Sequence, residues 1–100
     1  MTIKMIKRPP DGAELRLEGR LDTTTAPAAE EAFLKVAADY RELELNLAEL
    51  VYISSAGLRV LLSLQKQMAR KGGSLTISHM APAVVEIFEM TGFSDILNIK

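Results

Sequence analysis

The chain has 100 residues, of which 48% are hydrophobic and 25% are charged, a composition typical of an ordinary globular protein. Its 12 basic and 13 acidic side chains nearly cancel, so no broad basic field exists to bind a nucleic-acid backbone. The absence of cysteine excludes disulfides and thiolate metal sites. This length predicts one domain over residues 1–100.

The amino-terminal residues lack the apolar core of a signal peptide, and no apolar run is long enough to span a bilayer. We therefore expect a cytoplasmic protein with neither a membrane nor a nucleic acid as partner.

The first 18 residues predict a β-hairpin. Residues 2–7 favour a short edge strand, and the Pro-Pro-Asp-Gly sequence at 9–12 is typical of a turn. Residues 13–18 alternate between apolar and polar side chains, with Leu15 and Leu17 on the apolar side. The opposite, solvent-facing side carries Glu14, Arg16 and Glu18.

A helix and a third strand are expected next. Residues 19–22 leave the second strand, and apolar residues then recur at helical spacing over 25–39. Thr25 is a plausible N-cap, and Pro27 is tolerated in the first turn. Residues 42–47 alternate again and predict a strand, followed by a short link at 48–50.

The segment after this link is the most informative part of the sequence. The apolar run 51–53 ends at Ser54 and Ser55, and an amphipathic helix follows. We expect the core side of this helix to carry Leu58, Leu61, Leu62, Met68 and Ala69. A Gly-Gly pair at 72–73 predicts where the helix ends.

The remaining sequence predicts a strand over 74–78, a helix from Pro82 to Thr91, and a final strand over 96–99. The complete order is β-β-α-β-α-β-α-β. This order predicts an α/β domain with a mostly parallel sheet of four or five strands, an antiparallel N-terminal hairpin and about three helices.

The two serines at the start of a helix have three candidate roles. A hydroxyl there can cap free N–H groups, accept a phosphate or act as a nucleophile. A hydrolase nucleophile is disfavoured, because Gly-x-Ser-x-Gly lacks its leading glycine here and nothing connects the lone His79 to Ser55. We therefore expect no enzymatic activity, no catalytic residue, no metal and no cofactor.

Capping and phosphorylation are compatible, since one serine can cap the helix while its neighbour stays exposed. A phosphate would add nearly two negative charges, which the start of a helix tolerates. A partner packed against the same place would not tolerate them. Such an arrangement would be a switch that preserves the fold and abolishes binding.

These residues resemble a known family. The segment 52–62, Tyr-Ile-Ser-Ser-Ala-Gly-Leu-Arg-Val-Leu-Leu, is similar to the signature of STAS domains, in particular of bacterial anti-sigma factor antagonists. Three other segments agree in order: Gly-Arg-Leu-Asp at 19–22, Leu-Asn-Leu at 45–47, and Pro82 to Gly92.

The resemblance implies a function that composition and spacing do not reach. Such antagonists bind an anti-sigma factor, often a serine kinase, and thereby regulate sigma-factor-dependent transcription. Phosphorylation of a serine in the signature releases the kinase, and a serine phosphatase resets the cycle. By motif position the acceptor is Ser55, with Ser54 as the alternative.

One departure concerns Ser54, which stands where the family commonly has an aspartate. The resemblance also implies a partner-binding surface that consists of Asp22, Thr23, Thr24, Ser54, Ser55, Ala56, Gly57 and Arg59. The alternative function is a STAS scaffold or ligand-binding module in a signalling assembly that is never phosphorylated.

Overall fold

Four strands and three helices make up the fold in this computed structural model, which describes residues 1–93. They are β1 (Thr2–Arg8), β2 (Gly12–Leu21), α1 (Ala26–Asp39), β3 (Glu42–Ile53), α2 (Ser55–Arg70), β4 (Ser74–Ser78) and α3 (Pro82–Thr91). The sheet order is β1-β2-β3-β4, with β1 antiparallel to β2 and the other pairs parallel. The predicted fold class is confirmed. The strand predicted over 96–99 lies outside the described residues.

One apolar core joins the helices to a single face of the sheet. Alternate residues of the strands point to this face, as the pleat requires. Leu15 and Leu17 of β2 are buried there, as predicted. The helices contribute Phe33 from α1, Leu61, Leu64 and Met68 from α2, and Phe88 from α3.

The prediction that Glu14 faces solvent is wrong. Its side chain points away from the helices but is only 1% exposed. Arg16 donates to its carboxylate over 2.6 Å, Asn46 donates over 3.0 Å, and Arg8 also donates to it. These partners replace water, so a charged group remains satisfied on a sheet face that no described helix covers.

Strands β2 and β3 are both longer than predicted. Residues 19–21 continue β2, and residues 48–50 continue β3 instead of forming a link. The pairing of β2 with β3 shifts register twice, and each shift places an extra residue in β3. Each bulge breaks the apolar-polar alternation, so the alternating pattern in the sequence ends before the strand does. Leu47, Leu50 and Ile53 are consequently buried at intervals of three.

The helices begin and end close to their predicted positions. Thr25 is the N-cap residue of α1, but its side chain makes no capping hydrogen bond. In α2, Leu64 is buried and Ala69 is exposed, so the prediction that Ala69 lies in the core is wrong. Gly72 follows α2 with φ +75°, a conformation that favours glycine. Among residues 1–93, no helix is both long and apolar enough to cross a membrane.

Candidate functional site

The two serines lie where the carboxyl ends of β2 and β3 meet. These strands are parallel, and their pairing extends to Leu21 opposite Ile53. The next residue, Ser54, donates its backbone N–H to the carbonyl oxygen of Leu21 over 2.9 Å. This bond holds the start of α2 beside the loop that follows β2. The site is therefore assembled from two segments that are about thirty residues apart in sequence.

Ser54 is the N-cap of α2, so it is the one of the two serines that caps the helix. Its backbone is extended, with φ −96° and ψ 175°, and its hydroxyl accepts from the N–H of Gly57 over 3.3 Å. Its carbonyl accepts from the N–H of Leu58 over 2.9 Å. One of the free N–H groups at the helix start is thereby satisfied by a side chain.

Ser55 is the first residue of α2 and is exposed. Within residues 1–93 its hydroxyl has no hydrogen-bond partner, whereas the hydroxyl of Ser54 is engaged in the cap. The first turn of α2 contains no acidic residue. The positive end of the helix dipole at Ser55 is therefore not balanced by a carboxylate from that turn.

Gly57 is where α2 packs against the strand ends. A Cβ atom there would lie 2.8 Å from the carbonyl oxygen of Leu21, from its Cγ and from Cγ1 of Ile53. Only a residue without a side chain permits this approach. Ala56 is half-buried beside it and packs against the core. These two small residues position the serines and contribute little exposed area.

The loop after β2 is ordered around Asp22. Its Oδ1 accepts from the Thr24 hydroxyl over 2.7 Å and from the backbone N–H groups of Thr24 and Thr25 over 3.0 and 3.2 Å. The hydrogen bond from the Thr24 hydroxyl is the main reason that the pKa of Asp22 lies below its ordinary value. The Thr25 hydroxyl donates to the Arg20 carbonyl over 2.9 Å. Thr23 remains exposed at the tip.

Two residues at this edge, Arg20 and Tyr52, were not predicted as site residues. The guanidinium of Arg20 lies 4.4 Å from the centre of the Tyr52 ring, and its Nε lies 3.6 Å from Oδ2 of Asp22. Arg20 and Tyr52 are cross-strand partners in the β2–β3 register. The sequence contained both residues, but only the shifted register places them opposite one another.

Arg59 and His79 have different relationships to Ser55. Arg59 is exposed four residues after Ser55 on α2, a spacing that puts both on one helix face. His79 instead has its Nδ1 3.0 Å from the Ser78 hydroxyl, which itself donates to Glu44 over 2.6 Å. Within residues 1–93, His79 is therefore engaged with Ser78 at the end of β4. No group of three histidine or carboxylate side chains in that range could hold a metal.

The fold and this edge define a small α/β domain that presents an exposed serine at the start of a helix. A family model described as "Mlab, STAS domain" matches residues 5–98. The chain belongs to the STAS domain family.

Two relatives of this chain are named as anti-sigma factor antagonists. The anti-sigma-B factor antagonist of Bacillus subtilis is 27% identical over 95 residues, which cover 95% of this chain and 87% of the relative. A Bordetella bronchiseptica protein named as an anti-sigma factor antagonist, BtrV, is 38% identical over 84 residues, covering 83% of this chain and 72% of the relative.

Solved structures agree with the fold. An anti-sigma factor antagonist from Mycobacterium paratuberculosis superposes with a TM-score of 0.87 at 23% identity, covering 98% of this chain and 83% of its own. The antagonist SpoIIAA in its unphosphorylated form gives a TM-score of 0.77 at 14% identity, covering 99% of this chain and 87% of its own. These two likenesses establish the architecture.

Proposed function

We propose that this chain is an anti-sigma factor antagonist controlled by phosphorylation of Ser55. In its unphosphorylated form it binds an anti-sigma factor that is also a serine kinase. Phosphorylation of Ser55 ends that binding, and a serine phosphatase restores it. The domain acts as a binding module and regulates transcription through the sigma factor that its partner holds.

The observation that carries this proposal is that the two serine hydroxyls have different environments. Ser54 is engaged as the helix cap, whereas the Ser55 hydroxyl is exposed without a partner among residues 1–93. A kinase can therefore reach Ser55 without breaking the cap. The names of the relatives support the same role, since the similar proteins from Bacillus and Bordetella are both named as anti-sigma factor antagonists.

The physical basis of the switch is charge at a contact surface. A phosphate on Ser55 adds close to two negative charges beside the N–H groups of α2, where the helix dipole favours them. The fold is preserved for that reason. A partner surface that packs tightly here must then desolvate a dianion, which weakens the complex.

Phosphosite mapping tests the acceptor. The chain is incubated with its cognate anti-sigma kinase and ATP, and mass spectrometry locates the phosphate. We expect modification of the wild type and of Ser54→Ala, and none of Ser55→Ala. Full phosphorylation of Ser55→Ala would show that another residue is the acceptor, and Ser54 would then be the first candidate.

Binding of the same kinase tests the switch. Wild-type and Ser55→Ala proteins should bind, whereas Ser55→Asp and the phosphorylated wild type should not. Ser63→Asp, which adds the same charge further along α2, is the matched control and should bind normally. Equal binding by all five proteins would contradict the switch.

Ser54 also gives a specific reason to consider a STAS module that is never phosphorylated. It occupies the position where the family resemblance implies an aspartate, and the proposed acceptor therefore has no carboxylate next to it in the sequence. If the kinase requires an aspartate at position 54, it will not phosphorylate the wild type. It will then phosphorylate the Ser54→Asp variant. If the wild type is phosphorylated as fast as Ser54→Asp, the hypothesis of a module that is never phosphorylated is excluded.

A further inference from the structure

We propose that Arg20, held over Tyr52, is a specificity-determining contact of this domain and binds a carboxylate on the anti-sigma factor. The inference rests on the proposed function and names the chemistry that the partner must present. It places recognition on β2 and β3, beside the serine that switches it.

The geometry orients the Arg20 guanidinium before any partner arrives. It lies 4.4 Å from the Tyr52 ring centre, and Asp22 lies on its Nε side at 3.6 Å. The ring attracts the cation through its quadrupole and limits the rotamers that the side chain explores. Within residues 1–93 the Nη groups of Arg20 have no hydrogen-bond acceptor. The guanidinium group is therefore held on its Nε side, and its Nη groups are available to a partner.

Charge and shape select the ligand. An open guanidinium edge has parallel N–H donors that match the two oxygens of a carboxylate. Arg20 is 58% exposed, so a partner can reach this edge. Because the side chain is already oriented, pairing costs less conformational entropy than it would for a free surface arginine.

Exposed apolar area at the end of β3 would provide the rest of the contact. Val51 is 64% exposed and Tyr52 is 36% exposed, both at the end of β3 immediately before the serines. A tyrosine and an arginine beside apolar surface are typical of the residues that dominate binding energy in protein interfaces. The partner surface that fits is therefore an aspartate or glutamate flanked by apolar side chains.

The same arrangement explains why a phosphate on Ser55 would be effective. The backbone bond from Ser54 to Leu21 brings Ser55 to the edge that also carries Arg20. A dianion on this edge repels the partner's carboxylate and competes for the cation. Phosphorylation would then weaken the same electrostatic contact on which binding depends.

The test uses the purified anti-sigma factor that binds the unphosphorylated chain in the experiment above. Its dissociation constant is measured for wild type, Arg20→Ala, Arg20→Glu and Arg20→Lys. We expect Arg20→Ala to weaken binding about ten-fold and Arg20→Glu about a hundred-fold. Arg20→Lys keeps the charge but loses the planar fork, so its binding should lie between that of wild type and Arg20→Ala.

Three further arms make the result specific. Arg70→Glu reverses the same charge at the far end of α2, where the side chain is exposed, and should leave binding unchanged. Tyr52→Leu should weaken binding and Tyr52→Phe should not, because phenylalanine keeps the aromatic face. A partner variant with one surface acid changed to lysine should regain affinity for Arg20→Glu.

The outcomes separate this inference from the proposed function. If Arg20→Glu binds like wild type while Ser55→Asp has lost binding, the Arg20 contact is overturned and the switch stands. If Ser55→Asp also binds like wild type, the proposed function fails. Equal losses for Arg20→Glu and Arg70→Glu would show a general charge effect and would likewise overturn the specific contact.

Discussion

The backbone N–H of Gly57 donates to the hydroxyl of Ser54 over 3.3 Å, and this bond distinguishes two adjacent serines chemically. Removing the acceptor leaves an N–H of the helix start without its partner. Ser54→Ala should therefore lower the free energy of unfolding by about 1 kcal/mol. Ser55→Ala is the matched control and should change it by less than about 0.5 kcal/mol. Urea denaturation of the two variants measures both values, and equal losses would contradict the assignment of the cap.

Gly57 should be intolerant of even one added methyl group. In Gly57→Ala the new Cβ would meet Leu21 and Ile53 at 2.8 Å, and part of that surface is backbone, which yields little. We expect a loss of about 1–3 kcal/mol in unfolding free energy, as for overpacked cores. Lys66→Ala, at an exposed position of the same helix, should be nearly neutral. A Gly57→Ala protein as stable as wild type would show that the helix start shifts freely.

A negative charge at position 55 should stabilise the fold while it weakens binding. The first turn of α2 has no acidic residue, so Ser55→Asp supplies the first carboxylate there. The helix dipole should make this variant more stable than wild type by about 0.3–1 kcal/mol at low salt, and less so at high salt. Ser63→Asp, in the middle of the helix, should show no such gain. Thermal unfolding at two ionic strengths measures the difference, and destabilisation by Ser55→Asp would contradict a switch that preserves the fold.

Asp22 should stabilise the domain in a pH-dependent way. Its folded-state pKa lies below the ordinary value of 3.8, chiefly because the Thr24 hydroxyl donates to its carboxylate. A lowered pKa gives a contribution that is fully present above 3.8 and is lost as the pH falls through the folded value. Wild type should therefore be more stable than Asp22→Asn at neutral pH, and the two should converge in strong acid. Thermal unfolding of both proteins from neutral pH to strong acid measures this difference in stability. A difference that does not change with pH would contradict the assignment.

Glu14 should be the carboxylate on the outer sheet face whose loss destabilises the fold most. Arg8, Arg16 and Asn46 all donate to it, and its side chain is nearly fully buried. Glu14→Gln keeps the shape but removes the charge between two guanidinium groups. We expect a loss of about 1–3 kcal/mol. Glu18→Gln, on the same strand but more exposed, should cost far less. Chemical denaturation of both variants compares them.

Local patterns in the sequence were enough to predict the order of the elements within residues 1–93 and two serines at the start of a helix. The choice of Ser55 as the acceptor came from the family resemblance. Alternation in residues 13–18 and helical spacing in 25–39 reflect which side chains are buried, so they predict strands and helices directly. The prediction that one of the two serines caps the helix is confirmed, and the capping residue is Ser54. Such a cap is visible in the sequence because it involves residues within one turn. That Ser55 accepts phosphate remains a proposal.

Longer-range features were predicted less well, for physical reasons. The continuation of β3 through residues 48–50 depends on bulges in its pairing with β2, which leave no alternation to detect. The burial of Glu14 depends on Arg8 and Asn46, which come from different strands. Neither effect is visible in a local window of sequence.

The sequence by itself determined that this protein is a small α/β domain with two serine hydroxyls at the start of a helix. Short-range hydrogen bonding and the periodicity of apolar residues carry that information. Only the tertiary structure decided what surrounds Ser55. The parallel pairing of β2 with β3 brings Arg20 over Tyr52 and ties Leu21 to Ser54, and a pairing between distant segments is set by the packing of the whole sheet.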